Sequence, residues 1–241
     1  MEDAASADLT APVLSESATI CGLESLPARG IITAKQSGVI CGLEAVRLTL
    51  EAVDPNLVVV EMLADGTPVT AGDRVFVVES LAQPLLAGER TALNICSHLS
   101  GIATATSRLV KSAGDVAILD TRKTLPGIRR FQKYAVTVGG GQNHRHDLSE
   151  FPMFKENHRA LLQSLLPNLA KDPLEEVRWI KDSLARHGYS GPVSIEVEDE
   201  ASLRACLQEN IEMILVDNVE PEELSQWLEK ARVDQLPVHR S

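Results

Sequence analysis

Apolar and polar positions follow two regimes along the chain. The first 30 or so residues are rich in Ala, Ser, Glu and Leu and only weakly periodic. Residues 28–35 (ARGIITAK) read as the first strand, and Gly38 and Gly42 bracket a short apolar run. Residues 43–53 (LEAVRLTLEAV) read as a helix, and 57–63 (LVVVEML) as a β-branched strand. The Asp65–Gly66 pair is a turn signal, after which 74–80 (RVFVVES) reads as another strand. From Leu85 to Gly114 the apolar spacing is helical, with Gly101 expected at a bend or a close contact. Strands are then predicted at 116–121 (VAILDT), 135–140 (AVTVGG), 151–155 (FPMFK), 193–198 (VSIEVE) and 212–217 (EMILVD). Helices are predicted over 175–188, 199–210 and 221–232, the last opening on Pro221 in a favoured first-turn position. Strand–helix alternation predicts a parallel sheet closed or nearly closed into a barrel.

Composition narrows the classes. The 241 residues suit one large domain or two small ones, and 44% hydrophobic with 24% charged residues is ordinary globular usage. With 23 Lys and Arg against 34 Asp and Glu the net charge is −11, a poor basis for general binding of nucleic acid or anionic membrane. Cys21, Cys41, Cys96 and Cys206 form no C-x-x-C pair, which fits a reducing compartment. The N-terminus has no basic region followed by an apolar core, and no apolar run approaches 18 residues. The expectation is a soluble cytoplasmic protein with neither a nucleic-acid nor a membrane partner.

Charge distribution changes that picture locally. Between Asp120 and Asp147 no acidic residue occurs, while Arg122, Lys123, Arg129, Arg130, Lys133, His144, Arg145 and His146 do. Such a reversal in an acidic chain suits a ligand with several negative charges, Arg offering a planar fork and Lys a compact charge. A solvated basic face containing Arg129, Arg130 and Lys133 is the plain alternative. Gly139–Gly141 follow a predicted strand, where they permit close approach of backbone to a ligand or a simple turn. Neither a P-loop nor a Rossmann glycine pattern is present. His144, His146 and Asp147 have a weak metal-site spacing, opposed by Arg145 between them.

Five predicted strands end in polar groups: Asp-Thr-Arg-Lys, Gly-Gly-Gly, Lys155, Glu196 and Asp217. A β/α barrel places its chemistry at that end of its strands. Glu196 and Asp217 end successive strands, so they could hold Mg²⁺ or stabilise a developing positive charge, or form a structural ion pair. Lys123, on another strand end, could neutralise one of them.

The stretches ERTALNICSHLSGIAT (89–104), DTRKTLPGIRRFQKYAVTVGGGQNHRHDLSE (120–150), FKENH (154–158), SIEVED (194–199) and ILVDN (214–218) together resemble the quinolinate phosphoribosyltransferase family. The resemblance runs from about Ala28 to Val219. It implies an α/β fold of type II phosphoribosyltransferase kind, with an N-terminal α/β sandwich and linking helix over 1–97 and an open β/α barrel over 98–241. It also implies conversion of quinolinate and phosphoribosyl pyrophosphate to nicotinate mononucleotide, CO₂ and pyrophosphate with Mg²⁺, in de novo NAD biosynthesis. The resemblance assigns the quinolinate carboxylates to Arg122, His144 and Arg145, with Arg90 reaching over from the partner subunit of a homodimer. It gives Thr121 the ring, Lys123, Glu196 and Asp217 the ribose, and Lys155 the phosphates. Glu196 and Asp217 would also stabilise an oxocarbenium-like ribose and the Mg²⁺ complex.

The stretch 64–80 is similar to biotinyl-type hairpins too, but no lysine lies between Lys35 and Lys111 to carry a cofactor. ILVDN is not followed by the phosphate loop of a type I phosphoribosyltransferase. Against the family pattern the chain is expected to be shortened at both ends. The start is abbreviated to ADLTAP, and neither an E-A-S-G-G strand end nor a Ser-Val-Gly turn follows ILVDN, so only five barrel strands are expected. Gln142 and Asp147 stand where His and Gly are expected. The alternatives are a non-catalytic relative that binds a dicarboxylate or assembles with another chain, and a same-fold transferase for another substrate.

Overall fold

A computed structural model describes residues 26–237. The weakly periodic N-terminal segment with Cys21, and the C-terminal end with His239, lie outside the described residues. The chain forms two compact units, one up to His144 and one from Arg145 onward. It mixes helices and strands in an α/β fold. No helix among the described residues is long and apolar enough to cross a membrane.

In the first unit β1 (Pro27–Thr33), β3 (Val58–Met62) and β5 (Arg74–Leu81) make an antiparallel sheet in the order β1-β5-β3. β5 takes the centre because Val75–Val78 are buried without interruption, whereas its two neighbours largely alternate exposed and half-buried positions. β2 (Gly38–Val39) and β4 (Pro68–Val69) form a second, two-residue ladder. Helix α1 (Leu43–Glu51) buries Leu43, Val46 and Leu50 in one cluster with Val75, Phe76 and Val78. Its first amides are satisfied from a distance. Asp65, in the turn anticipated at Asp65–Gly66, accepts from Gly42 N at 2.9 Å and Leu43 N at 3.1 Å. Tyr134 Oη donates to the same carboxylate at 2.9 Å. Burial, reinforced by Asp65, pushes the Tyr134 phenol up to about 12.

Helix α2 (Ala82–Ala113) runs 32 residues and buries Gly88, Ala92, Cys96, Leu99, Ala103 and Thr106. Those spacings of three and four define one narrow, mostly small-residue stripe. The stripe lets α1 approach closely: a Cβ on Gly88 would stand 2.9 Å from Leu50 Cδ2. Two hydroxyls on α2 replace missing strand partners of the β2 segment. Ser100 Oγ accepts from Cys41 N at 2.9 Å and donates to its carbonyl at 3.1 Å, and Thr104 Oγ1 accepts from Val39 N at 2.9 Å. The helix runs unbroken through Gly101, which makes no close contact; a Cβ there meets nothing within 4 Å.

The predicted strand at 135–140 is instead the end of helix α3 (Arg129–Val138). Ala135 and Val138, one turn apart, pack with Leu99 and Ala103 of α2. That tertiary contact overrides the β-branched character of Val136, Thr137 and Val138. Gly139–Gly141 therefore follow a helix; Gly139 and Gly141 press against protein, and Gly140 between them is exposed. A Cβ on Gly139 would stand 2.5 Å from the Ala103 carbonyl oxygen, and one on Gly141 2.8 Å from Val136 Cγ1. The predicted strand at 116–121 reduces to one parallel bridge, Leu119 to Gln142. Asp120 N donates to Gln142 O at 3.0 Å and Gln142 N to Ile118 O at 2.8 Å.

In the second unit β6 (Met153–Phe154), β7 (Ser194–Val197) and β8 (Met213–Val216) form a parallel sheet in that order. The helices are α4 (Glu156–Leu165), α5 (Pro173–Arg186), α6 (Glu200–Gln208) and α7 (Pro221–Val233), with a 3₁₀ turn at Leu169–Lys171. Ile195 and Val197 share a core with Val177, Ile180, Leu203, Cys206 and Trp227. The three strands anticipated here stand, as do α5 to α7, and Pro221 opens α7 as expected.

Three free thiols, Cys41, Cys96 and Cys206, are buried. Burial pushes Cys41 and Cys206 up to about 12. Iodoacetamide at pH 8 is therefore expected to leave both unlabelled in the native protein and to label them after unfolding, as read by peptide mass mapping. Gly139→Ala should lower stability by about 1–3 kcal/mol through overpacking. Gly101→Ala should not, and should gain up to about 1 kcal/mol of helix propensity. Urea melts of the two variants check the contrast.

Candidate functional site

The first unit supports its basic residues from beneath. Asp120 follows the Leu119 bridge, and Thr121–Lys123 form the turn beyond it, where Lys123 N donates to Thr121 Oγ1 at 3.0 Å. Thr121 and Lys123 are exposed and Arg122 is half-buried. The Asp120 carboxylate accepts from Lys133 Nζ and, at 2.9 Å, from His144 N. Lys133 Nζ also donates to the His144 carbonyl at 2.9 Å. The Asn143 amide nitrogen, turned as its neighbours require, donates to Asp120 Oδ2 at 2.6 Å and to Lys133 O at 3.0 Å. Lys133 is 1% exposed, so it is an internal cation and not part of a solvated basic face.

Helix α3 also holds the loop after the turn. Gln132 Oε1 accepts from Leu125 N at 2.8 Å, its Nε2 lies 2.9 Å from His98 Nε2, and Arg129 Nε donates to Thr124 Oγ1 at 3.0 Å. Arg122 Nε is a buried nitrogen with no hydrogen-bond partner among the described residues. A buried donor of that kind fits an anionic ligand. Arg90 is exposed on α2 beside an open groove of about 670 Å³ whose lining includes Lys35, Ser97, Thr104 and Arg108.

The second unit contributes a carboxylate at the carboxyl end of its parallel sheet. Glu196 lies in β7 and is 4% exposed, and Lys155 Nζ is its ion-pair partner. Lys155 is the residue between β6 and α4, and its side chain is 41% exposed. Glu196 pairs in register with Leu215 of β8, so Asp217, just past that strand, lies diagonally across from it on the same face. Asp217 N donates to Val197 O at 3.1 Å, and its carboxylate is exposed. Arg145 is 5% exposed, donates to Phe151 O at 3.0 Å and stacks its guanidinium 5.6 Å from the Phe151 ring centroid.

Beneath Glu196 lies a network that sequence reasoning missed. Arg159 on α4 grips both oxygens of the buried Glu176 at 3.1 and 2.8 Å, and donates to Glu196 O at 3.2 Å and Ser202 Oγ at 3.1 Å. Burial alone would lower the Arg159 pKa; Glu176 outweighs it and holds the guanidinium above its ordinary value. The one available signal was the i, i+4 placement of Lys155 and Arg159, two cations ahead of an acid-rich helix start at Glu175–Glu176.

Asp147 accepts from Ser149 N at 2.8 Å and His146 N donates to Glu150 at 3.0 Å, both within the bend at 146–150. Among the described residues no group of three or more His, Cys, Asp or Glu side chains is placed to hold a metal.

Residues 8–100 match the model for the quinolinate phosphoribosyl transferase N-terminal domain, and 102–239 that for its C-terminal domain. The chain is 34% identical over 209 residues to a probable carboxylating nicotinate-nucleotide pyrophosphorylase of Methanocaldococcus jannaschii, covering 85% of the chain and 68% of that relative. It is 39% identical over 202 residues to the carboxylating nicotinate-nucleotide pyrophosphorylase of Mycobacterium leprae, covering 80% and 67%. Among solved structures, NadC from Streptococcus pyogenes superposes with a TM-score of 0.72 at 31% identity, covering 93% of this chain and 81% of that one.

Arg159→Met would leave Glu176 buried and unpaired. It is expected to destabilise the protein by about 3–5 kcal/mol in urea melts. Arg178→Met, which breaks pairs of the half-exposed Arg178 with Glu209 and Glu175, should cost about 1 kcal/mol or less.

Proposed function

This chain belongs to the quinolinate phosphoribosyl transferase family, and from that membership we propose that it makes nicotinate mononucleotide, CO₂ and pyrophosphate from quinolinate and phosphoribosyl pyrophosphate. The observation that carries the reading is Glu196. A buried carboxylate at the carboxyl end of a parallel strand, matched to a half-exposed lysine, costs desolvation that packing alone does not recover. It is where this kind of sheet keeps its chemistry.

In the reaction, the pyridine nitrogen of quinolinate attacks the anomeric carbon as the bond to pyrophosphate oxygen breaks. The ring nitrogen becomes cationic. The adjacent C–CO₂ bond then breaks, its electron pair is held next to the cationic nitrogen, and a proton takes its place. No protein nucleophile is needed. Glu196 and Asp217 place negative charge where the ribose develops positive charge. Lys155 and Lys123 supply compact cations for the phosphate and ribose end of the donor. Arg122, His144 and Arg145 supply donors for the two carboxylates, and Thr121 a hydroxyl for the ring.

The donor set fits a Mg²⁺ that arrives on substrate phosphates. Glu196 is committed to Lys155, Asp217 is free to solvent, and Mg²⁺ is ordinarily held by one or two carboxylates plus phosphate oxygens and water. Bound there, the ion would screen the negative charge that builds on the departing pyrophosphate. The exposure of Arg90 beside the α2 groove supports its reaching a second copy of the chain in a homodimer.

Purified protein given quinolinate, phosphoribosyl pyrophosphate and Mg²⁺ should release nicotinate mononucleotide and CO₂, and chelation by EDTA should stop it. A folded sample that yields no product overturns the reading. Glu196→Gln should lower kcat by at least about 100-fold while quinolinate affinity in calorimetry changes little, since the carboxylate acts in the transition state. Equal losses in both would assign Glu196 to ground-state binding. Mixing inactive Arg90→Ala and Arg145→Ala proteins should restore part of the activity if Arg90 serves the partner; no recovery places it in its own subunit.

A further inference from the structure

The segment 120–147 has one acidic residue before Asp147, and the structure spends it on an internal lysine. Asp120 is 4% and Lys133 1% exposed at the side chain. An ion pair so buried is a weak stabiliser, because removing both charges from water offsets most of their attraction. What this pair does instead is visible in its remaining bonds, all of which go to two segments. Asp120 sits on the first, one residue before Thr121-Arg122-Lys123, and receives the His144 amide of the second. Lys133 returns a bond to the His144 carbonyl. Asn143 closes the set by donating to Asp120 and to the Lys133 carbonyl. The backbone bonds at Gln142 align the same two segments in parallel.

We propose that Asp120 and Lys133 are positioning residues for quinolinate, a clamp that fixes the spacing between Arg122 and His144. Neither touches the substrate. Lys133 reaches the segments from α3, a helix already locked to α2 through Ala135 and Gly139. The clamp thus refers both substrate-facing segments to the rigid part of the unit. The stranded Arg122 Nε, two residues from Asp120, is the group whose aim it sets. This inference rests on the function proposed above.

Single variants leave one buried charge unpaired and can fail to fold. The informative protein is the neutral double variant Asp120→Asn/Lys133→Met, in which no charge is stranded. It is expected to melt near the wild type and to show a quinolinate KM raised at least tenfold, with the KM for phosphoribosyl pyrophosphate changed less than about twofold. Uniform loss of kcat with both KM values unchanged means a merely structural pair and overturns the proposal. So do wild-type kinetics at an unchanged melting temperature. Hydrogen exchange separates this failure from failure of the functional reading. If the wild type makes no product, the clamp still predicts at least tenfold faster exchange in peptides spanning 142–145 of the double variant, with α2 unaffected. Unchanged exchange there overturns the clamp itself.

Discussion

Neutralisation of buried carboxylates by cations delivered from helices is the constraint on which both units depend. Asp120, Glu176 and Glu196 all lie inside the protein, and each meets a cation: Lys133 from α3, Arg159 from α4 and Lys155 at the start of α4. A carboxylate without its partner in such surroundings would take up a proton or draw water into the core. The placement of α3 and α4 is therefore tied to charge as firmly as to apolar contact. For α4 charge weighs heavily, since that helix has no fully buried residue and adds only the half-buried Leu162 against the core to what Lys155 and Arg159 grip.

The same arrangement explains why an acidic protein can keep a concentrated basic segment. Of the cations between Asp120 and Asp147, Lys133 is spent internally and Arg129 braces Thr124. Arg145 is buried as well, so the outward-facing remainder is smaller than the sequence advertises: Lys123 stands just past the Leu119 bridge and Arg130 on α3. Flexible side chains on a fixed backbone suit recognition of a small, highly charged molecule better than a diffuse basic face would.

Sequence pattern revealed elements wherever one physical effect governed them. The continuous run Val75–Val78 marks a central strand, and the spacing along 85–114 marks α2. Pattern failed where a contact remote in sequence decided the outcome. Residues 135–138 look like a strand until Ala135 finds Leu99 and Ala103. Gly139–Gly141 look like a ligand cradle until the neighbouring helix is seen to fill the space. Lys133 looked like one more surface charge because nothing local betrays its depth. Helix α4 was not anticipated; Leu161 and Leu165 stay exposed and Leu162 alone of its leucines packs against the core. The chemical residues were legible through motif resemblance, but the scaffold beneath them was not, since Asp120–Lys133 and Arg159–Glu176 join positions 13 and 17 residues apart.

The narrow stripe on α2 has a bearing on how this protein can change over time. Gly88, Ala92, Cys96, Leu99 and Ala103 are pinned by the helices pressed against them, so drift at one position demands a matching concession on α1 or α3. Asn94, Gly101 and Lys111, away from the stripe, are exposed, and a Cβ on Gly101 meets nothing within 4 Å. Divergent descendants of this chain would thus keep a nearly frozen line of small side chains along one edge of the helix, while exposed positions other than Arg90 change more readily.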